Sequence, residues 1–346
     1  MGKVLDFNHM KKEKKKQEQQ LWCNLLNCIL HIMEMDPWQH LTSGDPFALI
    51  PKSCSQMIFF SCVQDAADSM GIMVFPSARD YQLLCCDDSP ARQAIRNHIE
   101  TECYSVYLSP KEEVPPEMRK IYRQFKLDLG SGLWPWIIHK RRGYLGDVPT
   151  GENLAFLYDC LGNFCMQLQA MQEFKNRPDF EHGSMMLRYY SPQKELWMNM
   201  EVPFALPPEE AHPVILREDS PKLNKLKTLG PATEVRKVEF DFGWLDFPTQ
   251  EDSDEEPYYP MQVVFTDRES GQLLSLYHCR PEDGTDCAFT AWSEVLNQYG
   301  IPEMLYVCRN DSYDLFEDFA QHLGVKIKLV KRLPAAQRIL RDQGAV

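Results

Sequence analysis

The order of the predicted elements between residues 234 and 330 constrains the fold of this chain more than any other feature. Apolar and β-rich runs there predict three successive strands, followed by helix, strand, helix and strand. Alternation of helix and strand after a hairpin implies parallel pairing through crossover connections. We therefore expect an α/β unit with a mixed sheet, in which a three-stranded meander precedes a β-α-β-α-β order. The predicted strands are Val235–Phe242, Met261–Phe265, Leu273–Cys279, Met304–Val307 and Val325–Val330.

Capping residues set the expected ends of the two helices. Asp286 is placed to cap the first helix, which Gly300 and Pro302 should end, because proline cannot continue the hydrogen-bond ladder. Asp311 or Ser312 is placed to cap the second helix.

The rest of the chain is predicted to hold a charged leader and a second domain. Residues 1–35 contain the leader and, from Leu21, an amphipathic helix; residues 36–206 form an α+β domain whose strongest helix is Leu154–Phe174. Four prolines between Pro203 and Pro213 have the composition of a linker. The mixed-sheet domain then occupies residues 207–346.

Composition excludes several classes of function. A net charge of −13 disfavours general affinity for nucleic acid, although it leaves room for a local basic patch. The 12 cysteines are scattered and include no Cys-x-x-Cys pair, so no zinc site is expected and a reducing cytoplasm is favoured. No stretch is long enough to span a membrane, and no nucleotide-binding glycine motif is present.

The element order of segment 234–330 resembles ribonuclease-H-like and integrase cores, which implies a two-magnesium nuclease site built on carboxylates. Asp241 stands at the position of the first acid and Asp311 near that of the second, with Glu317 or Glu294 as a third. The Asp-Asn-Gly turn of integrases is replaced by residues 309–312, Arg-Asn-Asp-Ser. The alternative is structural: Asp241 faces solvent on an edge strand, and Asp311 caps a helix.

A second candidate cluster follows the Trp134-Pro135 dipeptide. Aromatic and basic side chains in this stretch could stack bases and hold phosphates; they are Trp136, Lys140, Arg141 and Arg142. The alternative is a packing corner followed by a solvated turn.

Both halves resemble uncharacterised bacterial domains of unknown function. The first resemblance rests on Pro37–Phe75 and Tyr104–Phe174, the second on Leu223–Leu340. Relatives of the second domain sometimes carry a C-terminal zinc motif, whose cysteines are not present in this sequence, so that metal site is not expected. We therefore expect a non-catalytic interaction or regulatory protein with a protein partner and no cofactor. The alternative is a metal-dependent nuclease that uses Asp241 and Asp311 with magnesium.

Overall fold

A computed structural model describes residues 7–52, 55–64, 70–86, 91–127, 129–130, 132–174, 177–207, 214–215, 221–252 and 255–345. The chain divides into two compact units. The first comprises Met1–Asp87, Thr101–Arg141 and Gly146–Pro207, and the second comprises Asp88–Glu100, Arg142–Leu145 and Pro208–Val346. Residues 208–213 of the predicted linker lie outside the described residues, and the division into domains at 36–206 and 207–346 stays a prediction.

Both parts of the chain contain helices and strands. Up to residue 207 the elements are α1 (Phe7–Met35), β1 (Phe47–Ile50), β2 (Ile58–Gln64), β3 (Met70–Phe75), α2 (Ala78–Cys85), α3 (Ala91–Glu100), β4 (Cys103–Pro110), α4 (Pro116–Phe125), β5 (Leu133–Lys140), α5 (Gly151–Phe174), β6 (Ser184–Ser191) and β7 (Leu196–Pro203). After residue 207 they are α6 (Pro221–Leu226), β8 (Lys237–Trp244), β9 (Met261–Asp267), β10 (Leu273–Cys279), α7 (Gly284–Tyr299), β11 (Met304–Val307), α8 (Asn310–Leu323), β12 (Lys326–Leu329) and α9 (Pro334–Asp342).

The first unit is built on a seven-stranded sheet in the order β5-β4-β3-β2-β1-β6-β7. Its neighbouring strands pair antiparallel except β1 and β6, which pair parallel. Apolar residues of one face pack with α1, α4 and α5, while Tyr81 of α2 packs on the other face. Where the parallel pair begins, the buried amide of Gln167 donates to Ala48 O and Met186 O, both at 3.0 Å. One side chain of α5 thus contacts both strands of the parallel pair.

Helix α1 begins earlier than the sequence pattern predicts. It starts at Phe7 and includes the lysine-rich residues expected in the leader. Because residues 7–35 contain no proline or glycine and many Lys, Glu and Gln residues, nothing in this stretch breaks the helix. The face that includes Leu25, Ile29 and Ile32 is buried.

The second unit is built on a five-stranded sheet in the order β10-β9-β8-β11-β12. Strands β8, β9 and β10 form an antiparallel meander, and β11 and β12 extend the sheet in parallel from β8. Numbered within this sheet, the strand order is 3-2-1-4-5, with helices α7 and α8 as the two crossovers. This is the ribonuclease-H-like order. The expected fold class, an α+β domain followed by an α/β unit with a mixed sheet, is confirmed.

Strand β8 lies at the centre of this sheet and is covered on both faces. Val238 and Phe240 belong to the core formed with α7 and α8. Since side chains alternate along a strand, Glu239 and Asp241 point to the opposite face. Helix α9 packs on that face through Leu333, Ala336 and Leu340. Both acidic side chains are therefore buried, with residual exposures of 0% and 2%.

The helix caps differ from the predictions. Helix α7 begins at Gly284 after a 3-10 turn, so Asp286 lies inside its first turn instead of capping it. Helix α8 has Arg309 at its N-cap position without a side-chain cap bond, so Asp311 again lies in the first turn. In both cases the helix starts before the residue with the best capping side chain, because the preceding residues also take up helical turns.

The carboxylate of Glu239 anchors α9, a helix that was not predicted from the sequence. Its Oε2 accepts hydrogen bonds from the backbone amides of Ala335 (3.0 Å) and Ala336 (3.1 Å) in the first turn. Its Oε1 accepts from Arg268 Nη1 at 2.8 Å. A negative charge is favoured at a helix N-terminus, where amides are otherwise unpaired.

Among the described helices, none combines the length and apolar character needed to cross a membrane.

We predict that Glu239→Gln destabilises the second unit by about 3 kcal/mol, because it removes one partner of a buried ion pair. The loss should appear as a lower free energy of unfolding in urea and as faster hydrogen exchange of the α9 amides. Glu269→Gln is the matched control, since Glu269 pairs with Lys237 on the surface (2.7 Å). Equal effects of the two substitutions would contradict the anchoring role.

Candidate functional site

Asp241 lies midway along β8 and is buried, which corrects the alternative that placed it in solvent on an edge strand. One carboxylate oxygen, Oδ1, accepts from Phe242 N (2.9 Å) and from Arg309 Nη2 (3.2 Å). The other, Oδ2, accepts from the Cys308 thiol, with 3.6 Å between sulfur and oxygen. The carboxylate of this candidate acid is thus bound by protein groups.

Arg309 occupies the space beside Asp241. It lies two residues after the end of β11, and its guanidinium lies 3.3 Å from the centroid of the Phe242 ring. Nη2 also donates to Phe242 O at 2.6 Å, and Nη1 donates to Glu100 Oε1 at 3.1 Å. A planar guanidinium can stack on a ring and donate along its edges at the same time. Arg309 therefore joins two buried carboxylates.

The second carboxylate comes from α3, which belongs to the second unit although it precedes β4 in the chain. Glu100 Oε1 accepts from Arg96 Nε (2.9 Å), Trp244 Nε1 (3.1 Å) and Arg309. Arg96 Nη2 donates further to Phe242 O at 3.2 Å. Two arginines and two carboxylates thus form one network, which we call the arginine–carboxylate cluster: Arg96, Glu100, Asp241 and Arg309.

The short segment 142–145 holds the C-terminal end of α3. Gly143 N donates to Ile99 O at 2.9 Å, and Arg142 Nε donates to Glu100 O at 3.1 Å. Gly143 adopts a φ of +79°, and a Cβ there would lie 2.8 Å from the Trp244 ring. Only glycine allows this approach without strain.

Burial dominates the electrostatics of Asp241. It raises the pKa of the carboxyl group to about 6, with a further increase from Asp311; the Arg96 guanidinium, the Phe242 amide and the Cys308 thiol act in the opposite direction. Burial, reinforced by the Asp241 carboxylate, raises the pKa of Cys308 to about 12, so the thiol stays protonated and donates. Burial lowers the pKa of Arg96, but Glu100, Asp241 and Asp311 outweigh it and the net shift is upward.

The structure brings together only part of the predicted acid set. Asp311, exposed in the first turn of α8, is near enough to Asp241 and Arg96 to shift their pKa values. Glu317 and Glu294 are exposed on α8 and α7, the helices that cover the face of β8 opposite to Asp241. Glu294 accepts a hydrogen bond from Tyr277. Within the described residues, no three His, Cys, Asp or Glu side chains are grouped so that they could hold a metal ion.

The second candidate cluster lies in and after the edge strand β5. Trp136 is partly buried and stacks on Tyr107, with 4.7 Å between ring centroids. Lys140 is buried, and its Nζ donates to Thr101 O at 2.7 Å. Arg141 and Arg142 are exposed, and Arg142 makes the bond to Glu100 O described above. The tryptophans belong to the strand itself and do not precede it, because β5 begins at Leu133.

Sequence reasoning missed Arg96 and Glu100 as partners of Asp241. Their spacing of four residues, which places two side chains on one face of a helix, was a signal for a mutual ion pair. Nothing in the sequence connected that helix with a strand about 140 residues later. Arg309 was visible as a departure from the integrase turn, and its position two residues after β11 was the signal for its role.

Two family models match the chain. Residues 222–342 match a model described as Domain of unknown function (DUF6930). Residues 22–188 match a model described as Domain of unknown function (DUF7309). The expected resemblance of both halves to domains of unknown function is confirmed, and neither description states an activity. No curated protein matches the sequence.

Among solved structures, the chain is similar to the HTLV-2 integrase catalytic core domain in complex with magnesium. The trimeric form shows 14% identity over 31% of this chain and 68% of that chain, with a TM-score of 0.25. The dimeric form shows 15% identity over 30% and 64%, with a TM-score of 0.22. The strand order of the second sheet, rather than these TM-scores, supports the fold assignment.

The raised pKa of Asp241 predicts a pH dependence of stability. Between its unfolded pKa of 3.8 and its folded pKa of about 6, the folded protein keeps a proton that the unfolded chain has lost. This group's contribution to the free energy of unfolding therefore falls as the pH rises, by on the order of 3 kcal/mol in total.

The measurement compares urea unfolding of the wild type and of Asp241→Asn from about pH 4 to about pH 7. Other titrating groups cancel in the difference. We expect the wild type to lose stability relative to the Asn variant over this range. A difference that stays constant or rises with pH would show that the folded pKa is not raised.

Proposed function

We propose that this chain is a non-catalytic interaction or regulatory protein of the cytoplasm, built on a ribonuclease-H-like unit that has lost its metal chemistry. The observation that carries the proposal is the guanidinium of Arg309 bonded to Asp241. In a two-metal nuclease, the first acid presents its oxygens to magnesium. In this chain both oxygens already accept from Arg309, Cys308 and the Phe242 amide.

Displacing Arg309 by a metal ion would be costly. Its guanidinium is mostly buried, with 18% of the side chain exposed, and its partners are Asp241, Glu100 and Phe242 O. A metal that took over Asp241 would leave this cation without one of its partners in a low-dielectric site. The remaining acid candidates, Glu294 and Glu317, belong to helices on the other face of the sheet and would not complete the metal shell.

A protein is the favoured class of partner. The net charge of −13 makes broad association with a nucleic-acid backbone unfavourable. Capture of tagged protein from a lysate, with and without nuclease treatment, separates the two classes. We expect the captured partners to be unchanged by nuclease. Partners that disappear after treatment would show association through nucleic acid.

We predict that the purified chain does not cleave single- or double-stranded DNA or RNA in the presence of Mg²⁺ or Mn²⁺. Asp241→Asn is the matched control for contaminating nucleases, because it removes the candidate acid with little change in shape. Cleavage by the wild type that this variant abolishes would establish the alternative, a metal-dependent nuclease using Asp241 and Asp311.

We also predict that Arg309→Gln lowers the free energy of unfolding by about 3–5 kcal/mol, since it leaves two buried carboxylates short of a cation. Arg236→Gln is the control: Arg236 forms an exposed ion pair with Glu303 and should matter little. Unfolding is measured in EDTA and in MgCl₂. A strong stabilisation of the wild type by magnesium would argue for a working metal site.

A further inference from the structure

A groove in the first unit is lined by basic side chains, although the protein carries a net charge of −13. It has a volume of about 640 Å³ and lies between α4, the start of β5 and the end of β4. Among the described residues, four basic side chains and no acidic side chain line it. Its principal lining residues are Lys111, Arg119, Arg123, Lys126, Tyr122 and Trp134.

Two buried aromatic side chains form the base of the groove. Tyr122 and Trp134 are both 3% exposed and pack edge to face, with 5.1 Å between ring centroids. The Tyr122 hydroxyl donates to Pro135 O, and Trp134 Nε1 donates to Gly130 O at 3.2 Å. Packing and hydrogen bonds hold these two rings in fixed positions. The part of the groove that the rings form is therefore rigid.

The cations converge from two sides. Arg119 and Arg123 are one helical turn apart on α4, and Lys126 follows at the left-handed C-cap, with a φ of 55°. From the opposite side, Lys111 Nζ lies 4.3 Å from the centroid of the Trp134 ring. In the part of the chain that the structure describes, none of these four side chains forms an ion pair.

Helix stability accounts for only part of this arrangement. Cations in the last turn of a helix are favoured by the helix dipole, which explains Arg123 and Lys126. It does not explain Arg119, one turn earlier, or Lys111, which lies outside the helix. The four side chains are exposed, so water screens their mutual repulsion, and an anion in the groove could contact several of them at once.

We propose that this groove binds a small phosphorylated compound that carries at least two negative charges, such as a nucleoside polyphosphate. Its volume lies within the usual range for small-ligand sites. Guanidinium groups suit phosphate because they donate two parallel hydrogen bonds. The net charge of −13 disfavours long polyanions more than compact ones, because a long backbone interacts with more of the protein surface.

The test is isothermal titration calorimetry of the full chain with inorganic pyrophosphate and with ATP. We expect both to bind, with an affinity that falls as NaCl is raised from about 50 mM to about 300 mM. Arg119→Gln and Arg123→Gln should each weaken binding about tenfold, through the loss of a charge-assisted hydrogen-bond pair. Circular dichroism confirms that each variant is folded.

Lys120→Gln is the matched control. Lys120 is exposed on the same helix, does not line the groove, and its replacement removes the same charge. We expect the affinity of this variant for pyrophosphate and ATP to stay within about twofold of the wild type. The Lys120 charge lies outside the groove and is screened by water and salt. If Lys120→Gln and Arg119→Gln weakened the binding of the anions equally, the binding would reflect general charge attraction. That result would overturn the proposal.

Two further results would also overturn it. One is the absence of binding of both pyrophosphate and ATP at millimolar concentration. The other is tighter binding of a single-stranded RNA oligonucleotide than of either small anion, with the same dependence on Arg119 and Arg123, which would make the groove a nucleic-acid site.

Discussion

Two buried carboxylates on one central strand determine the arrangement of the second unit. Glu239 and Asp241 share a face of β8 and are almost completely removed from water. A buried carboxylate without partners would cost several kcal/mol or would take up a proton. Each therefore needs donors supplied by other elements. Glu239 obtains them from Arg268 and the first turn of α9, and Asp241 obtains them from Arg309 and Cys308.

The two buried carboxylates are bound by different kinds of hydrogen-bond donor. Glu239 is held by backbone amides and one arginine, a purely structural arrangement at a helix N-terminus. Asp241 stands where this fold class carries its first metal ligand, and arginines supply the positive charge that metal ions would supply. An arginine is fixed to the chain and cannot act as a Lewis acid. On the proposed function, an arginine in place of a metal ion keeps the buried carboxylate paired with a cation without supplying metal chemistry.

The order of the elements was predictable because apolar periodicity distinguishes strands from helices, and the five strands of the second sheet were located by it. The burial of Asp241 was not predictable. Apolar and acidic residues alternate along 238–242, a pattern typical of a strand with one solvated face. The acidic face is covered only because α9 packs on it, and α9 offers a short apolar stripe of small residues, Ala335 and Ala336, that gives a weak signal.

Contacts between residues far apart in the chain were the second feature that could not be predicted from the sequence. The pair Arg96–Glu100 could be read as a helical ion pair, yet its function depends on Trp244 and Arg309, which lie far along the chain. Since α3 and segment 142–145 belong to the second unit, residues 207–346 alone lack two of the four charged groups in the arginine–carboxylate cluster. In their absence Arg309 keeps Asp241 and Phe242 O but loses Glu100, and the Trp244 indole loses its acceptor. The arginine–carboxylate cluster is thus assembled from both halves of the sequence.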